Sequence, residues 1–215
     1  MIFKAKNIVK KFDDTRILDS IDVSIDEGQI ISIEGASGSG KTTLLNILGL
    51  LDSPSQGKVE YYNNLEYDNF NSSERIGTIG YVFQFHHLLA EFQVIDNLTI
   101  PQILAGKNYK ESVMYANEML KILDLEYLSK RYPYQISGGE CQRIALLRGI
   151  INKPKIVFAD EPTGNLDSEN SRIVIKLLND LREKFNISFF IVTHDSHITK
   201  ISNESFYIDS GKLKQ

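Results

Sequence analysis

The sequence predicts an α/β fold: a central parallel sheet, a small antiparallel sheet near the N-terminus and a helical lobe inserted into the α/β core. Three observations predict it. Short apolar runs at Gln29–Glu34, Lys155–Asp160 and Ile187–Thr193 lack polar alternation, as strands buried on both faces do. Segments of helical period separate these runs, the arrangement that gives parallel strands with helices between them. From about Phe85 to Lys153 no convincing strand pattern occurs at all.

Taken in order, Ile2–Ile8 reads as a first strand. Ile21, Val23 and Ile25 alternate with Asp22 and Ser24 as in a half-buried strand, and Lys58–Tyr62 completes the small sheet, which we expect to be antiparallel. Leu44, Ile47, Leu48 and Leu51 form the apolar stripe of a helix directly after a glycine-rich loop. IGYVF, just before Gln84, is strand-like, and Glu111–Leu125 is an amphipathic helix. Val174, Leu177, Leu178, Leu181 and Phe185 mark another. The expected division is 1–84 with 154–215 for the sheet-bearing core and 85–153 for the helical lobe, within one domain.

Composition narrows the function classes. The 215 residues are 42% apolar, enough for one sizeable core or a core with an attached lobe. Net charge is −4, which gives no encouragement to a nucleic-acid partner. A single cysteine, Cys141, excludes an internal disulfide and suits a reducing compartment. MIFKAKNIVK lacks the apolar core of a signal peptide, and no apolar run approaches the length of a membrane span. We therefore expect a soluble, cytosolic chain whose membrane role, if any, comes through a partner.

The chemistry begins at GASGSGKTT, comprising Gly35, Ala36, Ser37, Gly38, Ser39, Gly40, Lys41, Thr42 and Thr43. It fits G-x-x-x-x-G-K-[ST] between a strand and a helix. Glycines let successive N–H groups turn toward a polyphosphate, and the helix N-terminus adds a favourable dipole. Lys41 is expected to reach the β- and γ-phosphates, and Thr42 to offer its hydroxyl to Mg²⁺. Asp160 and Glu161 end the buried IVFAD run at the edge where that loop lies. Asp160 suits the Mg²⁺ shell and Glu161 the polarisation of an attacking water.

A second glycine pair follows in Ser137-Gly138-Gly139-Glu140. Ser137 and Glu140 also fit a capping box, so by itself the motif reads as a well-capped helix start. Two adjacent glycines cost about 1 kcal/mol each in a helix, which favours close approach of something to the backbone.

Gly35–Thr43, Gln84, Ile136–Gln142, Asp160–Glu161, Asn165–Asp167 and His194 follow one another as in ATP-binding cassette (ABC) ATPases, and the chain resembles that family along its whole length. The resemblance implies a P-loop NTPase (RecA-like) core with an N-terminal antiparallel β subdomain and an inserted α-helical signature subdomain. It implies ATP and Mg²⁺ as cofactors and a second copy of the chain as partner. ISGGE stands where the family carries its signature, so Ser137, Gly138 and Gly139, with Glu140, would close over the ATP of the opposite copy. Phe12 resembles the aromatic that stacks on adenine. Gln84 resembles the glutamine that senses Mg²⁺ and the attacking water, Asp167 the acid that crosses the dimer interface, and His194 the histidine that contacts the γ-phosphate and aligns Glu161. The pairs His194/His197 and His86/His87 lack a further ligand cluster, so a zinc reading is set aside. Ile136 and Cys141 depart from the commoner residues of the signature, and Cys141 raises the expectation of sensitivity to thiol reagents.

The stretch QFHHLLAEF from Gln84 to Phe92, with Ile95-Asp-Asn-Leu and Ile100-Pro101, resembles the lipoprotein-releasing branch of the family; FADEPTGNLD is shared with MacB-type exporters and FtsE-like regulators. That branch implies two integral membrane subunits of the LolC/LolE type, lipoprotein cargo reached indirectly, no nucleic acid, and a peripheral place on the cytoplasmic face of the bacterial inner membrane. His86, His87 and Phe92 are expected to face the membrane partner; the alternative is that QFHHLL packs the helical lobe.

Overall fold

The computed structural model describes residues 1–62, 65–66 and 72–214. Two sheets form. The first has the order β2-β1-β4-β5, from β1 (Phe3–Phe12), β2 (Thr15–Ile25), β4 (Gln56–Tyr61) and β5 (Leu65–Glu66), and all its pairings are antiparallel. β1 and β2 run longer than their apolar residues suggest because Asp13 takes φ 50° in a tight turn that pairs Phe12 with Thr15. That hairpin carries Phe12 to its tip.

The second sheet has the order β10-β9-β3-β8-β7-β6, from β3 (Ile30–Gly35), β6 (Ile79–Val82), β7 (Ile156–Asp160), β8 (Ser188–Val192), β9 (Glu204–Asp209) and β10 (Lys212–Lys214). Of its five pairings, four are parallel and the edge pairing β9–β10 is antiparallel. Side chains alternate across it. Ile31, Ile33, Ile156, Phe158, Phe190 and Val192 join the N-terminal sheet and α1 (Lys41–Leu48) in one core. Ile30, Val157, Ala159, Phe189 and Ile191 face the helices in a second. The sheet is thus buried on both faces, which is why its strands read as unbroken apolar runs.

The helices of that second core are α3 (Val94–Leu104), α4 (Tyr109–Ile122), α5 (Gly138–Ile150), α6 (Ser168–Phe185) and α7 (Ser196–Ile201); α2 (Ser72–Thr78) leads into β6. No strand lies between residues 85 and 153, as the periodicity predicts. Yet Leu98, Met119, Leu120, Ile144 and Leu147 of this stretch share one cluster with α6 and the sheet, so the lobe has no separate core. α4 starts two residues before the expected Glu111, capped by Asn108, which accepts from Lys110 N at 2.9 Å. It stops at Ile122; Leu125 is buried from the following turn, past the left-handed Asp124. The β9–β10 hairpin is not in the sequence-based expectation. Among the described residues, no helix is long and apolar enough to cross a membrane.

Candidate functional site

Parallel register sets the site. Ile33 pairs with Val192, Val192 with Asp160, and Ala159 with Val82, so the carboxyl ends of β3, β8, β7 and β6 reach one edge. The loop after β3 is Gly35–Gly40; after β8 comes His194, after β7 Glu161, and after β6 Gln84.

The glycine loop fits an anion through its backbone. Gly40 is the N-cap of α1 at φ 100° and supplies no capping side chain, so the helix's first N–H groups keep their donors. Gly38 holds φ 76°, and a Cβ there would meet nothing within 4 Å, so the loop is open at that point. Lys41 Nζ arches back over the loop, donating to Gly35 O at 2.8 Å and Ala36 O at 2.9 Å. Phe12, half exposed, lines a cavity of about 250 Å³ with Ile17, Gly38, Gly40, Lys41, Thr42 and Thr43. Lys10 Nζ stands 5.1 Å from the ring centroid, and the same ammonium is hydrogen-bonded to Asp52 and Ser53. In the glycine loop, Ser39 Oγ is buried with no hydrogen-bond partner among the described residues.

Thr42 Oγ1 donates to Asp160 Oδ2 at 3.0 Å. Burial, helped by the neighbouring Glu161 charge, raises the Asp160 pKa, against the pull of the Thr42 hydrogen bond and Lys41. The Thr42 hydroxyl and the partly desolvated Asp160 carboxylate are hard oxygen donors, a set that suits Mg²⁺. The Gln84 side chain is exposed and makes no hydrogen bond to Thr42, Asp160 or Glu161 among the described residues; its carbonyl accepts from Asn165 Nδ2 at 3.2 Å.

Glu161 sits at φ 45°, a left-handed conformation that costs a non-glycine residue about 1–2 kcal/mol. Its N–H donates to Val192 O at 2.8 Å, which pins the turn to the neighbouring strand end. Its Oε2 accepts from His194 Nδ1 at 2.8 Å and from His194 N at 3.2 Å. Both bonds fall on one oxygen, leaving Oε1 for another donor.

The second glycine motif has a different construction. Ser137 caps α5, and the capping box is complete: Glu140 N donates to Ser137 Oγ at 3.3 Å and Ser137 N to Glu140 Oε2 at 2.8 Å. A Cβ on Gly139 would lie 2.2 Å from Asn170 Oδ1, so a larger residue there would displace the Asn170 side chain of α6. A Cβ on Gly138 would meet nothing within 4 Å. Only the first of the pair therefore presents open backbone. Asn170 in turn donates to Asp167 Oδ2 at 2.8 Å and accepts from Arg143 Nη1 at 3.5 Å. Asp167 caps α6, accepting from Asn170 N at 2.8 Å; that bond and the one from the Asn170 side chain hold its carboxyl below the usual range.

Two expectations are corrected. Cys141 is buried, its thiol donates to Pro133 O at 3.6 Å, and burial raises its pKa, so it is shielded from thiol reagents. His86 does not face outward: its Nδ1–H donates to the buried Gln142 Oε1 at 2.6 Å. Arg148 holds the same segment, donating to His87 O at 2.6 Å and His86 O at 2.8 Å. The His87 ring packs edge-on against Phe83. Phe85, Leu89 and Phe92 are the exposed apolar residues of the stretch. Arg148 was missed in the sequence; its signal is a lone cation in the apolar run ALLRGI of α5.

Residues 18–164 match the family model described as ABC transporter. The chain is 42% identical over 215 residues to the lipoprotein-releasing system ATP-binding protein LolD of Cytophaga hutchinsonii, covering 99% of this chain and 98% of that protein. It is 41% identical to LolD of Bacteroides fragilis, over 97% and 98% of the two chains. Among solved structures it resembles the dimeric post-hydrolysis state of the ATP-binding cassette MJ0796 bound to ADP and Pi. There the TM-score is 0.88 at 33% identity, over 100% of this chain and 97% of that one.

Proposed function

The chain belongs to the ABC transporter family and is an ATPase, and from that premise we propose that it powers release of lipoproteins from the inner membrane. Two copies would sit at the cytoplasmic face beneath two membrane subunits of the LolC/LolE type. The single observation that carries this reading is the whole-length likeness, at about 40% identity, to proteins named for lipoprotein release.

In this reading ATP lies on Gly35–Thr43 with its base against Phe12; Thr42 and Asp160, with Gln84 nearby, would hold Mg²⁺, which would supply charge neutralisation for the triphosphate. Lys41 exchanges its loop carbonyls for phosphate oxygens. Glu161 Oε1 accepts a proton from water while His194 holds Oε2, so the water oxygen forms its bond to the γ-phosphorus as the bond to ADP breaks. Catalysis is then positioning and electrostatics, with no covalent intermediate. The open backbone at Ser137 and Gly138 would close over the ATP of the second copy, with Asp167 at the same interface. The exposed Phe85, its ring 6.5 Å from that of His87, stands beside a groove lined by Tyr81, Phe83, His87, Pro101 and Leu104, and we assign the membrane subunits to that side, with the exposed Leu89 and Phe92 of the same segment.

The test is purification from membranes followed by ATPase assay. The expected result is co-purification of two membrane subunits and stimulation of hydrolysis by lipoprotein. Changing Phe85, Leu89 and Phe92 together to Ser should spare basal hydrolysis and abolish the stimulation. Recovery of a fused exporter or a cell-wall regulator partner would instead favour the MacB-type or FtsE-like reading.

A further inference from the structure

Tyr127 lies in a short 3-10 turn, Glu126–Leu128, on the helical lobe. Leu128 anchors this turn in the core, whereas the Tyr127 ring is 63% exposed and so contributes little to packing. Its hydroxyl nevertheless donates to Glu140 Oε1 at 2.6 Å, with the Arg143 guanidinium beside the pair. The other oxygen, Glu140 Oε2, accepts from Ser137 Oγ at 2.7 Å and Ser137 N at 2.8 Å. Each carboxylate oxygen therefore has its own set of donors, and the one hydroxyl proton of Ser137 is committed to Glu140. Burial alone would push the Glu140 carboxyl up, but the bonds from Tyr127 and Ser137, with the Arg143 charge, hold it below its ordinary range.

This arrangement poses a problem for closure on a triphosphate. To donate to a γ-phosphate, the Ser137 hydroxyl must leave Glu140, and a carboxylate then stands beside an incoming anion. We propose that Tyr127 is a positioning residue for this step: it tethers Glu140 by Oε1, keeping the carboxylate turned toward its own lobe while Ser137 passes its hydroxyl to the phosphate. Without the tether the carboxylate either recaptures the serine hydroxyl or faces the phosphate, and like charges at such range repel. The inference rests on the ATP-sandwich reading above, because Tyr127 acts on the nucleotide of the other copy.

The experiment is an ATP titration of dimer formation by light scattering in a Glu161→Gln background. Tyr127→Phe should raise the half-maximal ATP concentration about fivefold, the scale of a partly exposed charge-assisted hydrogen bond. With Glu140→Gln also present, Tyr127→Phe should shift it less than about twofold, since no carboxylate is left to tether. Binding of a fluorescent ATP analogue to the dilute, monomeric chain should be the same with Tyr or Phe at 127. The proposal is overturned by an unshifted titration, by equal shifts with Glu and Gln at 140, or by matching loss of monomer binding, which would mark a structural role. If Glu161→Gln alone never dimerises with ATP, the sandwich reading falls and takes this one with it; the other three results leave that reading standing.

Discussion

At Gly35–Thr43 the chain turns through left-handed glycines, with Gly38 at φ 76° and Gly40 at φ 100°, whereas Ser137–Glu140 opens a helix with its caps satisfied inside the chain. The first motif leaves its N–H donors to a ligand. The second spends its side chains on itself, uses Gly139 to admit Asn170, and presents only the edge at Gly138. In the reading proposed above, the difference is that one motif forms an anion nest within a single chain, while the other becomes part of a site only when another copy meets it.

The largest effect should come from breaking the complete motif. Lys41→Ala removes the ammonium that now bridges Gly35 O and Ala36 O, and should lower ATP turnover at least about a thousandfold, measured by phosphate release. Glu161→Gln should cost about a hundred- to ten-thousandfold in the same assay while ATP still binds. Accumulation of an ATP-bound dimer by that variant would extend the comparison to both motifs.

The two glycines of the second motif separate its two jobs. Gly139→Ala drives a methyl into Asn170 and should lower the melting temperature by about 3–8 °C, from an overpacking cost of about 1–3 kcal/mol. Gly138→Ala should leave the melting temperature unchanged or slightly higher, because alanine suits a helix better, yet should impair ATP-driven dimerisation. Equal behaviour of the two variants in both assays would dissolve the distinction.

The smallest effect concerns Asp160. Its folded pKa is raised by burial, so the folded state holds its proton more readily than the unfolded chain, and the ionised form costs stability at neutral pH. Asp160→Asn should therefore raise the melting temperature of the nucleotide-free protein by about 1–3 °C at pH 7. The gain should fade as pH falls through the raised pKa and below the ordinary Asp range, where both forms are neutral. A loss of stability at neutral pH would contradict it.

Much of this was legible from one-dimensional patterns. The three buried strands β3, β7 and β8 announced themselves because a strand covered on both faces shows no apolar–polar alternation, and their carboxyl ends brought Asp160, Glu161 and His194 to the glycine loop. What stayed hidden were links between distant segments. Nothing in HH at 86–87 says that Arg148 and Gln142, some 60 residues on, hold one backbone and one ring; expecting His86 to face a partner mistook an inward contact for an outward one. The β9–β10 hairpin had a local signal in Ser210-Gly211, both at positive φ as a two-residue turn requires, but Phe206 and Ile208 alone make a weak apolar pattern. Gly139 illustrates the limit: a glycine pair read as an opening for a ligand is half an opening and half a fit to Asn170.

The claim that each nucleotide is completed by a second copy has a direct measurement. A chain carrying Lys41→Ala is mixed with one carrying Ser137→Arg, each inactive alone, and phosphate release is followed as the ratio is varied. Turnover should rise to a maximum near equal amounts, where each mixed pair holds one intact pocket. A mixture that stays at the level of its inactive components at every ratio, under conditions where the unmodified protein turns over, would contradict it.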